Sequence, residues 1–281
     1  MVHNGARGDM MARSRWLIAL VAVLISVATV TPASASAESS GGQRYHLALG
    51  DSLAYGFQRF KVGQPPSAFR TGYADLLAAR IEHGGRLPEL VNYGCPGETT
   101  ETFVTGQCPW NAAGFPLHNA FTGPQVDAAA QFLRAHRGRV DLITISLWGN
   151  DANAFVASCN GNVQCIIEGA PAAIARVAGN LRTSLQTLRA TAPDADLVVI
   201  GAYDANLGAF ALTGPIFQAL NQSMTAAATS ARATYINPMP TFDANNGTAL
   251  CTYTLLCRDA DAHPSDAGYA ALADLTEAAL S

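Results

Sequence analysis

Residues 45–53 read Tyr-His-Leu-Ala-Leu-Gly-Asp-Ser-Leu, a short apolar run that ends in Gly50, Asp51 and Ser52. A run of this kind closed by a glycine is typical of a buried strand, and we predict a strand over Tyr45–Leu49. A serine where that strand passes into a helix can expose its hydroxyl and direct its backbone N–H outward. Ser52 is therefore a candidate nucleophile that needs an adjacent base, and a helix N-cap is its structural alternative.

The same pattern recurs along the chain. Further strands are predicted at Leu90–Tyr93, Leu142–Leu147, Leu197–Ile200 and Thr234–Asn237. Helical periodicity occupies Tyr73–Glu82, Gln125–His136, Ala173–Ala190, Phe217–Ser230 and Tyr269–Leu280, with a loop-rich region at 203–215. Continuous apolar strands that alternate with helices predict an α/β fold, a three-layer α/β/α sandwich around a doubly wound parallel sheet. Ligands of such sheets lie beyond the carboxyl ends of the strands, which here means residues 50–53, 94–99 and 148–151.

Composition excludes several classes of protein. The 281 residues are 49% hydrophobic and 14% charged, too apolar for a disordered chain. The net charge is −4, and it becomes −6 for a chain that begins at Glu38 and so lacks three arginines and one aspartate. Because Lys61 is the single lysine, the chain has no basic surface for nucleic acid, and we expect no nucleic-acid partner.

The N-terminus has the three parts of a secretory signal peptide. Arg13 and Arg15 precede an apolar run over Trp16–Val30, and small residues lead to an A-x-A site that ends at Ala37. Fifteen apolar residues make a helix of about 22 Å, short of a ~30 Å hydrocarbon core, although an uncleaved anchor is the alternative. We predict a signal peptide over 1–37, a flexible lead-in over 38–44 and one domain over 45–281. The mature protein is then secreted or held at the cell envelope without a stable membrane anchor.

Six cysteines agree with an oxidising compartment. Six allow 15 connectivities, and the economical choice is three local pairs, Cys95–Cys108, Cys159–Cys165 and Cys251–Cys257. No C-x-x-C occurs and no cysteine lies beside a histidine, so we expect no zinc site and no other metal.

Three further residues could complete an acyl-transfer site. His263 precedes a proline just before the last predicted helix and is the candidate base, with helix capping as its alternative. Asn150 follows the third strand and can offer its amide to an oxyanion, while the backbone N–H of Gly97 follows the second. Glycine and asparagine also cluster wherever strands end, so each signal alone is ambiguous.

Taken together, the motifs resemble the SGNH/GDSL hydrolase superfamily. Gly-Asp-Ser-Leu near the start, a glycine after the second strand, Gly-Asn-Asp after the third and His-Pro near the end occur in that family's order over residues 45–278. The stretches Leu-Ala-Leu-Gly-Asp-Ser-Leu-Ala-Tyr-Gly and Asn-Tyr-Gly-Cys-Pro-Gly-Glu-Thr-Thr are similar to the secreted lipase/esterase-like branch from GC-rich bacteria. So are residues 132–138 and 263–269. The resemblance implies a flavodoxin-like SGNH fold.

The resemblance also implies roles for individual residues. Ser52 would be the nucleophile, His263 the general base and then acid, and the oxyanion hole would comprise Ser52, Gly97 and Asn150. The family places an aspartate three residues before the histidine, where this chain has Ala260. We expect Asp261 to be the third catalytic group, either through its carboxylate or through its main-chain carbonyl. A charged group stabilises the imidazolium better, so the version with the carbonyl should be slower.

Trp148 stands where the family has the first glycine of Gly-x-Asn-Asp. Its bulk would narrow the site or cap its mouth, and could displace Asn150. An apolar rim that would suit an acyl chain is predicted from Phe57, Phe60, Leu207, Phe210, Leu212 and Phe217, for which ordinary packing is the alternative.

The sequence therefore predicts a secreted serine esterase or lipase. The expected substrate is a small-molecule or lipid ester, no cofactor is needed, and we expect a monomer. The alternatives are a carbohydrate O-deacetylase of the same fold and a non-catalytic extracellular binding protein, the latter suggested by Trp148 and Ala260.

Overall fold

A computed structural model describes residues 42–82, 85–206 and 210–280. The described chain from Gly42 onward forms one compact unit. The predicted signal peptide and residues 38–41 of the lead-in lie outside the described residues. Within the described part, no helix combines the length and the apolar character needed to cross a bilayer.

A parallel sheet of five strands forms the centre of the protein. The strands are β1 (Tyr45–Gly50), β2 (Glu89–Asn92), β3 (Val140–Ser146), β4 (Asp196–Ile200) and β5 (Thr234–Ile236). Their spatial order is β2-β1-β3-β4-β5 and every neighbouring pair is parallel. The chain reverses its winding direction between β1 and β3, and in doubly wound sheets this is where ligands bind. The predicted α/β fold with a doubly wound parallel sheet is confirmed.

Helices flank the sheet. In chain order they are α1 (Ser52–Tyr55), α2 (Tyr73–Ala78), α3 (Thr100–Thr105), α4 (Pro109–Ala112), α5 (Gln125–Ala135), α6 (Gly149–Ser158), α7 (Val163–Thr191), α8 (Phe210–Ser230), α9 (Met239–Phe242), α10 (Leu250–Tyr253), α11 (Leu256–Asp259) and α12 (Asp266–Leu280). Helix α7 packs against α5 and α8, while α2 packs against α12. On α7 the apolar spacing of Leu181, Leu185 and Leu188 buries all three side chains completely in the core.

Several elements extend beyond their predicted bounds. Helix α8 begins at Phe210, where we predicted a loop to Pro215, and α7 begins at Val163 rather than Ala173. Both helices run through a proline, Pro215 and Pro171, and a proline usually indicates a helix boundary because it lacks the N–H of the helical hydrogen bond. Helix α6 was not predicted.

A second sheet of two antiparallel strands, β6 (Thr254–Leu255) and β7 (Asp261–Pro264), was also not predicted. Strand β7 carries His263 and leads directly into α12. This sheet therefore sets the approach of the candidate base to the edge of the main sheet.

Disulfide bonds join the three cysteine pairs that the spacing predicts. Cys95 bonds to Cys108, Cys159 to Cys165 and Cys251 to Cys257. The last bond spans α10 and α11 and so closes the loop that leads into β7.

Candidate active site

Ser52 lies at the first position of α1, directly beyond the carboxyl end of β1. The N-cap is Asp51, whose carboxylate accepts the N–H of Leu53 at 3.0 Å, so the alternative of Ser52 as the cap is wrong. The turn requires Gly50, because its φ is +113° and a Cβ atom there would lie 1.9 Å from the carbonyl oxygen of Ser146. The local sequence thus directs Ser52 to the edge of the sheet while burying Asp51.

Ser52, His263 and Asp261 form one hydrogen-bonded chain. Nε2 of His263 lies 2.8 Å from Oγ of Ser52, and Nδ1 lies 2.5 Å from Oδ1 of Asp261. The sequence separates Ser52 from the other two by more than two hundred residues, and the fold brings them into contact. The arrangement matches a nucleophile, a base and an orienting carboxylate.

Asp261 reaches His263 because of the backbone at Ala260. Ala260 has φ +51° and ψ +37°, a left-handed conformation that is uncommon for a residue with a side chain. The turn aims the carboxylate of Asp261, rather than its main-chain carbonyl, at Nδ1 of His263. The same carboxylate accepts the backbone N–H groups of Arg59 at 2.9 Å and of His263 at 3.2 Å.

These contacts keep Asp261 ionised. Burial would raise the pKa of its carboxyl, but the hydrogen bond and charge of His263, with the two backbone N–H donors, together lower the pKa to about 2. The carboxylate is 1% exposed, so its charge acts on the imidazole with little solvent between them.

Two of the predicted oxyanion residues, Gly97 and Asn150, lie on segments that contact each other. Nδ2 of Asn150 donates to the carbonyl oxygen of Glu98 at 2.8 Å. The next residue, Asp151, contacts Thr100: its carboxylate accepts the backbone N–H of Thr100 at 2.9 Å and the Thr100 hydroxyl at 2.7 Å. Gly97, with φ +88°, directly precedes Glu98. The amide of Asn150 is therefore held beside the Gly97 segment, with its second N–H available to another acceptor.

Trp148 is accommodated without breaking this arrangement. Its ring packs edge-on against Tyr203 and Phe217, with centroids 5.3 Å and 6.0 Å away. The hydroxyl of Tyr203 in turn donates to the carbonyl oxygen of Ala262, next to the candidate base. Trp148 thus packs between Tyr203 and α8, while Asn150 keeps its bond to Glu98.

A cavity of about 650 Å³ lies beyond Trp148, and its lining is mainly apolar. Residues of α6, α7 and α8 line it, among them Phe155, Ile174, Val177, Leu212, Ile216 and Phe217. Thr99, Trp148 and Asp151 also line the cavity, whereas neither Ser52 nor His263 does.

The residues of the predicted apolar rim do not lie together around one site. Leu212 and Phe217 line the cavity, but Phe57 packs against the ring of His263 with centroids 4.6 Å apart. Phe60 is 53% exposed at the surface. Leu207 and the side chain of Phe210 lie outside the described residues.

The sequence reasoning missed two buried polar residues behind the site. Glu98 is fully buried and Gln125 is 1% exposed, and the two side chains contact each other at 3.1 Å. Glu98 lies inside the Gly-Cys-Pro-Gly-Glu-Thr-Thr motif, which could have indicated it, whereas Gln125 lies in an ordinary helix pattern. Among the described residues, Glu98, Cys95 and Cys108 form a cluster of metal-ligand types, but the two cysteines are bonded to each other and offer no thiolate.

The comparisons with known proteins identify the family of the chain. The profile of the GDSL-like Lipase/Acylhydrolase family matches residues 48–271. The chain therefore belongs to the GDSL-like lipase/acylhydrolase family. Membership identifies it as a hydrolase acting on esters and does not specify the ester. A comparison of the sequence with curated proteins gave no match.

Solved structures show the same fold at low identity. The extracellular lipase from Streptomyces rimosus is 18% identical with a TM-score of 0.58, over 84% of this chain and 99% of that one. Phospholipase A1 from Streptomyces albidoflavus NA297 is 19% identical with a TM-score of 0.55, over 84% and 99%. Axe2, an acetylxylan esterase from Geobacillus stearothermophilus, is 16% identical with a TM-score of 0.51, over 85% and 94%.

Proposed function

We propose that the protein is a secreted serine esterase that cleaves carboxylic esters through an acyl-enzyme on Ser52. The observation that carries the proposal is the hydrogen-bonded chain of Ser52, His263 and Asp261, with contacts of 2.8 Å and 2.5 Å. Membership of the family supports ester hydrolysis in general. The predicted signal peptide and the three disulfide bonds support export.

In the first step, Oγ of Ser52 attacks the carbonyl carbon of the ester and its proton passes to Nε2 of His263. Asp261 holds the imidazole in the tautomer that leaves Nε2 unprotonated beforehand, and its negative charge stabilises the imidazolium that forms. The carbonyl oxygen becomes an oxyanion, which the N–H groups of Ser52 and Gly97 and the amide of Asn150 stabilise.

The tetrahedral intermediate then collapses, and the alcohol leaves with the proton from His263. The acyl group stays on Ser52 as an ester. A water molecule gives its proton to His263 and attacks the acyl carbon, and the second intermediate releases the acid and returns the proton to Ser52.

The cavity supports an acyl ester as the substrate. A mainly apolar space of about 650 Å³ lies within the range of small-molecule sites, and Asp151 on its wall adjoins Asn150. Trp148 on the same wall favours a second candidate, removal of short acyl groups such as acetyl from a carbohydrate, because its large buried ring takes up space two residues before Asn150. A solved acetylxylan esterase shares the fold.

The test is hydrolysis of p-nitrophenyl esters from acetate to palmitate by the wild type and Ser52→Ala. Ser67→Ala, at an exposed serine, is the matched control. We expect turnover by the wild type and the control and none above background by Ser52→Ala. A maximum at medium chain length supports the lipid-like substrate, whereas a maximum at acetate supports deacetylation. No turnover from folded, disulfide-intact protein would reject the esterase and support a binding protein.

A further inference from the structure

Glu98 has surroundings that do not suit a charged carboxylate. The residue is fully buried, and Oε1 has no hydrogen-bond partner among the described residues. A Glu98 carboxyl oxygen and the sulfur atoms of Cys95 and Cys108 all lie within 4.8 Å of one another, and a disulfide has no N–H or O–H to donate. A buried charge with an unsatisfied oxygen is costly, so the neutral acid is the favoured form here.

The other carboxyl oxygen of Glu98 connects to the nucleophile turn through Gln125. Nε2 of Gln125 donates to Oε2 of Glu98 at 3.1 Å and to the carbonyl oxygen of Gly50 at 3.0 Å. Oε1 of the same amide accepts the N–H of Gly50 at 2.6 Å. Since Gly50 lies two residues before Ser52, Gln125 fixes the backbone from which the nucleophile projects.

The backbone of Glu98 connects to the remaining oxyanion donors. Its carbonyl oxygen accepts the amide of Asn150, and its N–H follows directly after Gly97. Glu98 is therefore linked to all three predicted donors of the oxyanion hole: to Ser52 through Gln125, to Asn150 by a hydrogen bond, and to Gly97 by a peptide bond.

We propose that Glu98 is a positioning residue of the oxyanion hole that works as an uncharged carboxylic acid, and that its ionisation lowers turnover. The inference rests on the proposed esterase. An ionised carboxylate would place a negative charge beside the donors that must stabilise an oxyanion, and it would compete with Gly50 for the amide of Gln125.

The surroundings of Glu98 also favour its neutral form by raising its pKa. Burial raises its pKa to about 7, the contacts with Thr102 and Gln125 lower it in part, and the negative charge of Asp51 raises it further. Asp51 in turn faces His263 and Asp151. Positive charge acts on these neighbours and not on Glu98: His263 lowers the pKa of Asp51 and Arg176 lowers that of Asp151. Ionisation of Glu98 therefore falls close to neutral pH.

The kinetic test compares Glu98→Gln, Glu98→Ala and, as a matched control, Glu89→Gln at an exposed glutamate of β2. Turnover of p-nitrophenyl acetate is followed at the isosbestic wavelength of p-nitrophenol from about pH 5 to pH 9. We expect kcat of the wild type and the control to decline above about pH 7. Glu98→Gln should keep kcat near pH 6 within roughly threefold and lack the decline, because a neutral amide replaces the neutral acid.

Glu98→Ala should lose about tenfold in kcat with little change in KM, less than the loss of an oxyanion donor itself. An alkaline decline in Glu98→Gln equal to that of the wild type would overturn the inference. So would a kcat of Glu98→Ala equal to that of the wild type.

A second measurement does not depend on activity. The infrared difference between the wild type and Glu98→Gln should show the C=O stretch of a protonated carboxyl near pH 6, and the band should vanish near pH 9. Absence of the band in an active enzyme rejects the role of Glu98. Presence of the band in a wild type that hydrolyses no ester rejects the proposed function.

Discussion

Asp261→Asn is the substitution that tests the third catalytic group. The carboxylate of Asp261 accepts three N–H groups: Nδ1–H of His263 at 2.5 Å, the backbone N–H of His263 at 3.2 Å and that of Arg59 at 2.9 Å. Every partner is a donor, and the side chain is almost completely buried. An asparagine offers one acceptor oxygen and an NH2 group, so in either orientation its NH2 faces an N–H.

Each orientation harms catalysis in a different way. With the amide oxygen toward Arg59, the NH2 group faces Nδ1, so His263 carries its proton on Nε2 and cannot accept the proton of Ser52. With the oxygen toward His263, the tautomer is kept but the charge that stabilises the imidazolium is lost. The wrong tautomer costs about 10⁴ in kcat in a serine–histidine–aspartate triad, and we expect a loss of about 10²–10⁴ here.

The assay measures kcat and KM on p-nitrophenyl acetate for the wild type, Asp261→Asn and Asp259→Asn. Asp259 is a matched control on the other side of Ala260, where its carboxylate pairs with Arg258 at 2.7 Å. We expect the control to keep wild-type kcat, and KM to change little in either variant. A folded Asp261→Asn that retained more than about a tenth of wild-type kcat would refute the role of the carboxylate.

Three other expectations follow from the structure. Trp148→Gly should enlarge the cavity beside Thr99 and Asp151 and shift the preferred ester to longer chains, as measured on the p-nitrophenyl series; an unchanged chain-length profile would contradict this. Replacing both cysteines of the Cys251–Cys257 bond with serine should cost about 2 kcal/mol of unfolding free energy in urea, because the closed loop is short; equal midpoints would contradict it. Burial raises the pKa of Asp51 to about 6 and that of Glu98 to about 7, so the folded state holds protons that the unfolded state has released, and stability falls as pH rises from about 4 to 7. Glu98→Gln should remove about 3 kcal/mol of that fall. Thermal melts of the wild type and the variant at about pH 4 and pH 7 check this, and an equal loss of stability in the two proteins would contradict it.

The sheet and the order of the site residues could be predicted from the sequence. Buried parallel strands are continuous apolar runs, and their carboxyl ends meet at one edge of the sheet. Gly50 at the end of β1, Ser52 just beyond it and Asn150 after β3 therefore had to lie near each other. The placement of His263 beside them followed from the resemblance to a family.

The features that the sequence did not predict have local physical causes. Nothing in the side chain of Ala260 favours a positive φ, so the turn that aims Asp261 results from tertiary contacts such as the one with Arg59. Pro171 and Pro215 resemble helix boundaries, but packing of α7 against α8 outweighs their cost. The link from Glu98 to Gln125 joins residues on different elements, and no periodic pattern marks it.

Covalent labelling with a fluorophosphonate probe, located by peptide mass spectrometry, tests directly whether Ser52 is the nucleophile. Only an activated serine reacts readily with such a probe. We expect a single adduct on Ser52 in the wild type and none in Ser52→Ala. An adduct that survives Ser52→Ala, or a folded wild type that takes no label, would contradict it.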